Sequence, residues 1–189
     1  DTCQSVNPYG SSTADMIQKA FITGEVMKLC KSYRSTFEIT SFAQRIQTNE
    51  ELEAITRHGE KPTILSFKNP EKELSAISEL ITTFKKSTYK SLGIICKTEM
   101  QAQEITEELK SYTDNLYFLS HQSTAFAKGI IVTSSHMAKG LEFDEVIIPQ
   151  ASSTNYNTLI DKSMLYVAVT RAMHKLTITH WGKPSRFIP

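Results

Sequence analysis

Residues 136–149 read HMAKGLEFDEVIIP, and the rest of the chain is arranged around them. An apolar run, Gly129, Ile130, Ile131 and Val132, precedes them and has the composition of a strand. The chain then turns through Ser134, Ser135 and His136 and reaches Lys139 and Gly140. A second apolar run follows at Val146, Ile147 and Ile148. Parallel sheets build ligand sites from such strand, loop, strand units, at the carboxyl ends of their strands. The loop brings two hydroxyls, an imidazole, an ammonium and the Glu142 carboxylate together within nine residues, a set suited to an anionic ligand. Gly140 permits a positive φ or a close backbone approach.

Working outward, strands and helices alternate. Residues 14–26 read as a helix and 27–30 as a short strand. Ser35 and Glu38 have capping-box spacing. Ile39, Phe42, Ala43 and Ile46 recur at i, i+3, i+4 and i+7, which predicts a helix buried on that face. Tyr33 and Arg34 therefore sit between a strand end and a helix N-terminus, where anions bind, and a guanidinium there can grip phosphate oxygens in a bidentate fork. Residues 48–61 read as a charged helix and then a turn. A strand is expected over 63–67. Asn69 and Pro70 open a helix with proline at its first position, and Leu74, Ile77, Ile81 and Phe84 form its stripe. Residues 92–96 are a continuous apolar strand. Thr98 and Gln101 repeat the capping-box pattern ahead of a helix carrying Met100, Ile105 and Leu109. Residues 116–119 are strand-like. Asp161 is placed to cap a helix to about Met173, with Leu165, Ala168, Val169 and Ala172 buried. By the 3.6-residue period Arg171 falls off that face and reaches toward a ligand. Residues 175–180 form a closing strand.

Most of these strands are continuous apolar segments, so the sheet is expected to be mainly parallel and covered on both faces, with right-handed helical crossovers. Arg34, Glu142 and Arg171 should then line one solvent-open edge, at the carboxyl ends of the strands.

The chain has 189 residues, 40% hydrophobic and 22% charged, enough for one domain with a substantial core. Its net charge of +1 excludes a general polyanion binder and leaves room for a local basic site. No apolar run reaches the roughly 20 residues that cross a membrane, and no signal peptide opens the chain. Cys3, Cys30 and Cys96 form no metal or disulfide pattern, which suits a reducing cytoplasm. The first residue is Asp, which suggests an excised domain.

A second stretch, LYVAVTRA at residues 165–172, completes a pair with AKGLEFD at 138–144. The pair resembles motifs V and VI of the UvrD/Rep/PcrA-like superfamily 1 helicases. Residues 31–36, KSYRST, resemble motif IV, and 1–6, DTCQSV, resemble motif III without its leading glycine. Their order is the family's order, so the resemblance spans nearly the whole chain. It implies a second RecA-like motor domain over 14–189, with 1–13 a remnant of the link to a first motor domain. The fold class implied is α/β and RecA-like.

What the family does with these positions transfers residue by residue. Arg171 would be the arginine finger for ATP hydrolysis, Arg34 a γ-phosphate contact and Gln4 a sensor of the terminal phosphate. Tyr33 would stack on adenine, Glu142 would bind the ribose, and Lys139, beside Gly140, would bind phosphate of either ATP or nucleic acid. Ser134 and His136 match the family's T-x-H, which touches single-stranded DNA; Ser keeps the hydroxyl. Tyr9 falls where relatives stack an aromatic on a base, but Gly10 replaces the usual arginine. No G-x-x-x-x-G-K-[ST] phosphate loop occurs in the chain, and no residue is assigned to a metal. The first RecA-like domain of the same polypeptide would supply that loop and hold the Mg²⁺ of the ATP.

One departure is informative. UvrD, Rep and PcrA insert a helical subdomain where this chain has only residues 111–128. A bare second domain, the stretch KSYRSTFEITSFAQRI (31–46) and the HGEKP of 58–62 resemble the HelD-like branch, which acts on RNA polymerase. Three readings follow: the second motor domain of an ATP-dependent DNA helicase or translocase, the same domain of a HelD-like factor that frees RNA polymerase from nucleic acid, or a non-catalytic α/β module.

Overall fold

The apolar runs do become strands, and they pair side by side in parallel. Among the described residues the main sheet comprises β3 (Thr63–Phe67), β4 (Leu92–Cys96), β5 (Leu116–Leu119), β6 (Ile130–Ser134), β7 (Phe143–Ile148) and β8 (Ala172–Trp181). Their order is β3-β8-β7-β4-β6-β5, and every pairing is parallel. A separate parallel pair joins β1 (Lys31–Ser32) to β2 (Glu53–Ala54). The computed structural model describes residues 16, 19, 31, 32, 34–48, 53, 54, 56–123 and 129–189. Gln4, Tyr9 and Tyr33 lie outside them, as do the strand expected over 27–30 and nearly all of the helix over 14–26.

Helices α1 (Phe37–Ile46) and α4 (Leu159–Val169) cover one face of the sheet, and α2 (Pro70–Lys85) and α3 (Glu99–Leu109) cover the other. Alternation along each strand feeds both layers. Ile95, Ile131, Val146 and Ile148 pack with Ile39, Phe42, Leu165 and Val169. Leu92, Ile94, Ile130, Val132 and Ile147 pack with Ile77, Ile81, Ile105 and Leu109. Each such fully buried aliphatic side chain contributes roughly 1.5–3 kcal/mol. The two-sided burial expected from the continuous apolar strands is observed for β4, β6 and β7, whereas the edge strand β3 stays largely exposed, Ile64 at 40%.

Several local expectations hold. Asn69 caps α2 by accepting from the Lys72 N–H, with Pro70 at the first position. Thr98 and Gln101 form both halves of the capping box on α3. The buried stripe of α1 is the expected one.

Others are corrected. Ser35 and Glu38 do not form a capping box: Thr36 is the N-cap and makes no side-chain cap bond. Tertiary partners take the two side chains instead. The Ser35 hydroxyl donates to the Ala172 carbonyl at 2.6 Å. The Glu38 carboxylate accepts from the Gly59 N–H at 2.8 Å and meets His58. Met100 is 68% exposed, because the inward stripe of α3 is Ala102, Ile105, Thr106 and Leu109. No described residue of 48–61 is helical, and β2 lies there. Asp161 is not the cap of α4. It is the third-position partner of Thr158 in a capping box, and the helix stops at Val169 rather than near Met173.

Candidate functional site

The loop between β6 and β7 spans the sheet from end to end. Ser134 closes β6 opposite Cys96, the last residue of β4, so it stands at the carboxyl end. Phe143 opens β7 opposite Ala172, the first residue of β8. Glu142 and Arg171 therefore immediately precede two neighbouring strands at their amino ends. The sequence places all the loop's groups at the carboxyl end. The structure separates them, because the chain must return the length of the sheet before it can start another parallel strand.

At the amino end, Arg34, Glu142 and Arg171 come together. The Arg34 Nε donates to a Glu142 carboxylate oxygen, joining residues 108 positions apart. Arg171 frames the backbone on both sides of Glu142. Its guanidinium donates to the Leu141 carbonyl at 3.3 Å, and its own carbonyl accepts from the Phe143 N–H at 3.0 Å. Further bonds run from its Nε to the Val167 carbonyl at 3.1 Å and from Nη2 to the Thr170 hydroxyl at 3.0 Å. Asp144, next along, accepts from the Lys90 and Ser91 N–H groups and the Ser91 hydroxyl. Phe143 packs its ring over Gly93, where a Cβ would stand 2.5 Å from a ring carbon. Only a glycine allows that approach.

Arg171 corrects its sequence reading in one respect. It is 1% exposed and does not project from a helix. It sits in the turn between α4 and β8, so the 3.6-residue period no longer governs its direction. Burial, and then the neighbouring Arg34 charge, lower its pKa to about 10, while Glu142 acts the other way. It is thus still protonated at neutral pH. The edge is open at Arg34 and Glu142, whose side chains are 34% and 43% exposed, but Arg34 is paired with Glu142 and not with solvent.

Ser134, His136, Lys139 and Gly140 occupy the first part of the loop. The Ser134 carbonyl accepts from the Ala138 N–H at 2.9 Å, which winds residues 134–138 into a turn. Ser134 is buried, whereas His136 and Lys139 are exposed. Gly140 has φ +90° with open space around it, the positive φ its sequence position predicts.

Arg57 escaped sequence reasoning. It bridges the main-chain carbonyls of Arg34 and Met173, and no local pattern marks it. Lys97 and Asp161 form a half-buried ion pair at 2.8 Å near the carboxyl end. There burial pushes the Asp161 carboxyl up, but the Lys97 ammonium and the Thr158 and Asn157 N–H groups outweigh it and hold the pKa below the usual value. The Thr98–Gln101 capping box was legible; the Thr158–Asp161 box and the pair between the two were not.

The parallel α/β sheet with helices on both faces is the RecA-like fold of helicase C-terminal domains. The family described as UvrD-like helicase C-terminal domain matches residues 27–128, and a second family with that description matches residues 129–179. The C-terminal domain of a possible DNA helicase from Lactobacillus plantarum WCFS1 is similar in structure. Its TM-score is 0.71 and its identity 30%, covering 83% of this chain and 92% of that one. An arterivirus nonstructural protein 10 helicase, solved with DNA, gives a TM-score of 0.45 at 12% identity over 65% of this chain and 28% of its own. No curated protein sequence matches. The chain belongs to the UvrD-like helicase C-terminal domain family.

Proposed function

We propose that the chain is the second motor domain of an ATP-dependent DNA helicase or translocase and forms half of a composite ATP site. The observation that carries this is the convergence of Arg34, Glu142 and Arg171 at the amino ends of β7 and β8. Two guanidiniums match a triphosphate and a carboxylate matches a ribose hydroxyl. The phosphate loop and the Mg²⁺ site belong to the first RecA-like domain of the same polypeptide, since no such loop occurs in these 189 residues.

In the reaction, water attacks the γ-phosphorus, the bond to the β–γ bridging oxygen breaks, and ADP and phosphate leave. Phosphoryl transfer is accelerated chiefly by positioning and charge stabilisation. Arg34 contacts the γ-phosphate, Gln4 reports on it, Tyr33 stacks on adenine and Lys139 adds positive charge beside Gly140. Arg171 becomes the finger by giving up its bond to the Leu141 carbonyl, the longest of its three at 3.3 Å. His136 touches single-stranded DNA at the other end of the loop and Tyr9 stacks on a base. Ser134 is buried and its hydroxyl accepts from the Met137 N–H, so it steadies the turn that presents His136 and does not itself meet the strand. Closure of the cleft between the domains then couples hydrolysis to movement along the strand.

The test is Arg34→Ala in a polypeptide joining this domain to its phosphate-loop partner. kcat for ATP should fall on the order of 10²-fold or more, and an unchanged kcat would remove Arg34 from the site. One observation favours the HelD-like reading of the same domain. Only residues 110–129, which include β5, separate the end of α3 at Leu109 from the start of β6 at Ile130, too short a stretch for an inserted helical subdomain. Association of the whole polypeptide with RNA polymerase, measured against association with single-stranded DNA, separates the two partners.

A further inference from the structure

Arg34 has to be held in place by something, and its own loop does not do it. The helix that follows is not capped by a side chain. Instead the loop is fastened to the first residues of β8, directly after Arg171. The Ser35 hydroxyl donates to the Ala172 carbonyl at 2.6 Å, and the Thr36 N–H donates to the Met173 carbonyl at 3.2 Å. Arg57 adds a third tie. Its Nη2 donates both to the Arg34 carbonyl and to the Met173 carbonyl, the latter at 3.2 Å.

The segment carrying Arg57 is itself locked. The Arg57 carbonyl accepts from the Phe37 N–H at 2.8 Å, and Glu38 accepts from the Gly59 N–H at 2.8 Å. A Cβ on Gly59 would stand 2.6 Å from the Thr36 methyl, so the turn presses directly on the loop. The Arg57 Nε is buried and has no hydrogen-bond partner among the described residues. A buried donor left unpaired carries a desolvation cost, and it is retained here beside two bonds that join Arg34 to the strand following Arg171.

We infer that Arg57 is a positioning residue: it sets the Arg34 guanidinium in register with Glu142 and Arg171 by clamping the carbonyls of Arg34 and Met173 together. Its significance for catalysis rests on the composite ATP site proposed above, while its effect on Arg34 does not. Arg57 is the charged member of the three ties and the one donated by a third segment of chain. Both bonds leave the same nitrogen, so the variant that removes the clamp is one without any N–H donor: methionine keeps an unbranched side chain and carries none.

The experiment reads the Nε–H signals of Arg34 and Arg171 by ¹⁵N NMR in the 189-residue chain, for wild type, Arg57→Met and Arg57→Ala. Arg171 is the internal control for folding, because its Nε–H bonds to the Val167 carbonyl and not to the clamp. Both variants should keep the Arg171 signal and lose the slowly exchanging Arg34 signal. If Arg57→Ala does not fold, Arg57→Met alone gives the reading. A retained Arg34 signal in a folded variant overturns the inference.

The second readout is ATP hydrolysis by the polypeptide joining this domain to its phosphate-loop partner. Arg57→Met should lower kcat by roughly 10–10²-fold with KM within about threefold. Loss of the Arg34 signal with unchanged kcat keeps Arg57 as the clamp of Arg34 and removes Arg34 from the reaction.

Discussion

The two ends of the sheet are built by different rules. At the carboxyl end, side chains are placed by short-range patterns. The Thr98–Gln101 and Thr158–Asp161 capping boxes start helices there, and Lys97 and Asp161 meet across them. At the amino end almost nothing is local. Arg34 pairs with Glu142 across 108 positions, Arg171 reaches Leu141 across 30, and Arg57 reaches Met173 across 116. The carboxyl end is assembled from helix starts. The amino end is assembled by stitching together four separate stretches of chain, around Arg34, Arg57, Glu142 and Arg171. A site of the second kind can register small shifts of any one stretch.

The largest expected effect breaks the amino end. Arg171→Ala in a polypeptide joining this domain to its phosphate-loop partner should reduce kcat for ATP by about 10³-fold or more. It should also lower the thermal stability of the 189-residue chain, because the Leu141 and Val167 carbonyls lose their guanidinium donor. A melting temperature and kcat both at wild-type values would mean that Arg171 neither braces the Glu142 loop nor serves as the finger.

Next comes Gly93→Ala. A methyl at this position would meet the Phe143 ring. Overpacking of this kind costs roughly 1–3 kcal/mol, measurable by urea unfolding. Since Phe143 adjoins Glu142, the Arg34–Glu142 pair should loosen too. An unfolding midpoint at the wild-type value would show that the ring moves aside freely.

The carboxyl end is probed by acid. The Asp161 pKa is held below its ordinary value, so the carboxylate contributes stability that is present above the usual value of 3.8 and is lost as pH falls through the lower folded value. Asp161→Asn should be less stable than wild type at pH 7, by about 1–3 kcal/mol, and the gap should narrow below pH 3.8. Parallel stability curves across that range would show that the Lys97–Asp161 pair carries no such term.

The difference between the two ends also explains what the sequence made legible. Runs such as Leu92–Cys96 and Leu116–Leu119 appear as strands with the expected bounds, since continuous apolar composition marks both, although the inner strand alone is buried throughout. Asn69 and Pro70 mark a helix start by chemistry alone. The motif resemblance named Arg34, Glu142 and Arg171 together, and they converge. Their surroundings were not legible. Arg171 turned inward because α4 had already ended, and Glu142 stood at the amino end because a whole loop intervened. Arg57 has no pattern around it, since its partners are carbonyls that sequence identity does not mark. Gly59 and Gly93 similarly give no sign of the Thr36 methyl and the Phe143 ring that require them.

The smallest effect should come from His136→Ala. The residue is exposed, so the stability of the chain should stay within about 0.5 kcal/mol of wild type. Single-stranded DNA affinity of the joined polypeptide should drop several-fold while DNA-independent ATP hydrolysis is unchanged. Unaltered DNA affinity would remove the carboxyl end of the loop from the nucleic-acid path.

The composite character of the ATP site is tested most directly by steady-state hydrolysis with the purified 189-residue chain alone. The arrangement predicts no turnover above the uncatalysed blank, because Arg34, Glu142 and Arg171 lack a phosphate loop on the same chain. Robust ATP hydrolysis by the isolated chain, abolished by Arg171→Ala, would contradict it.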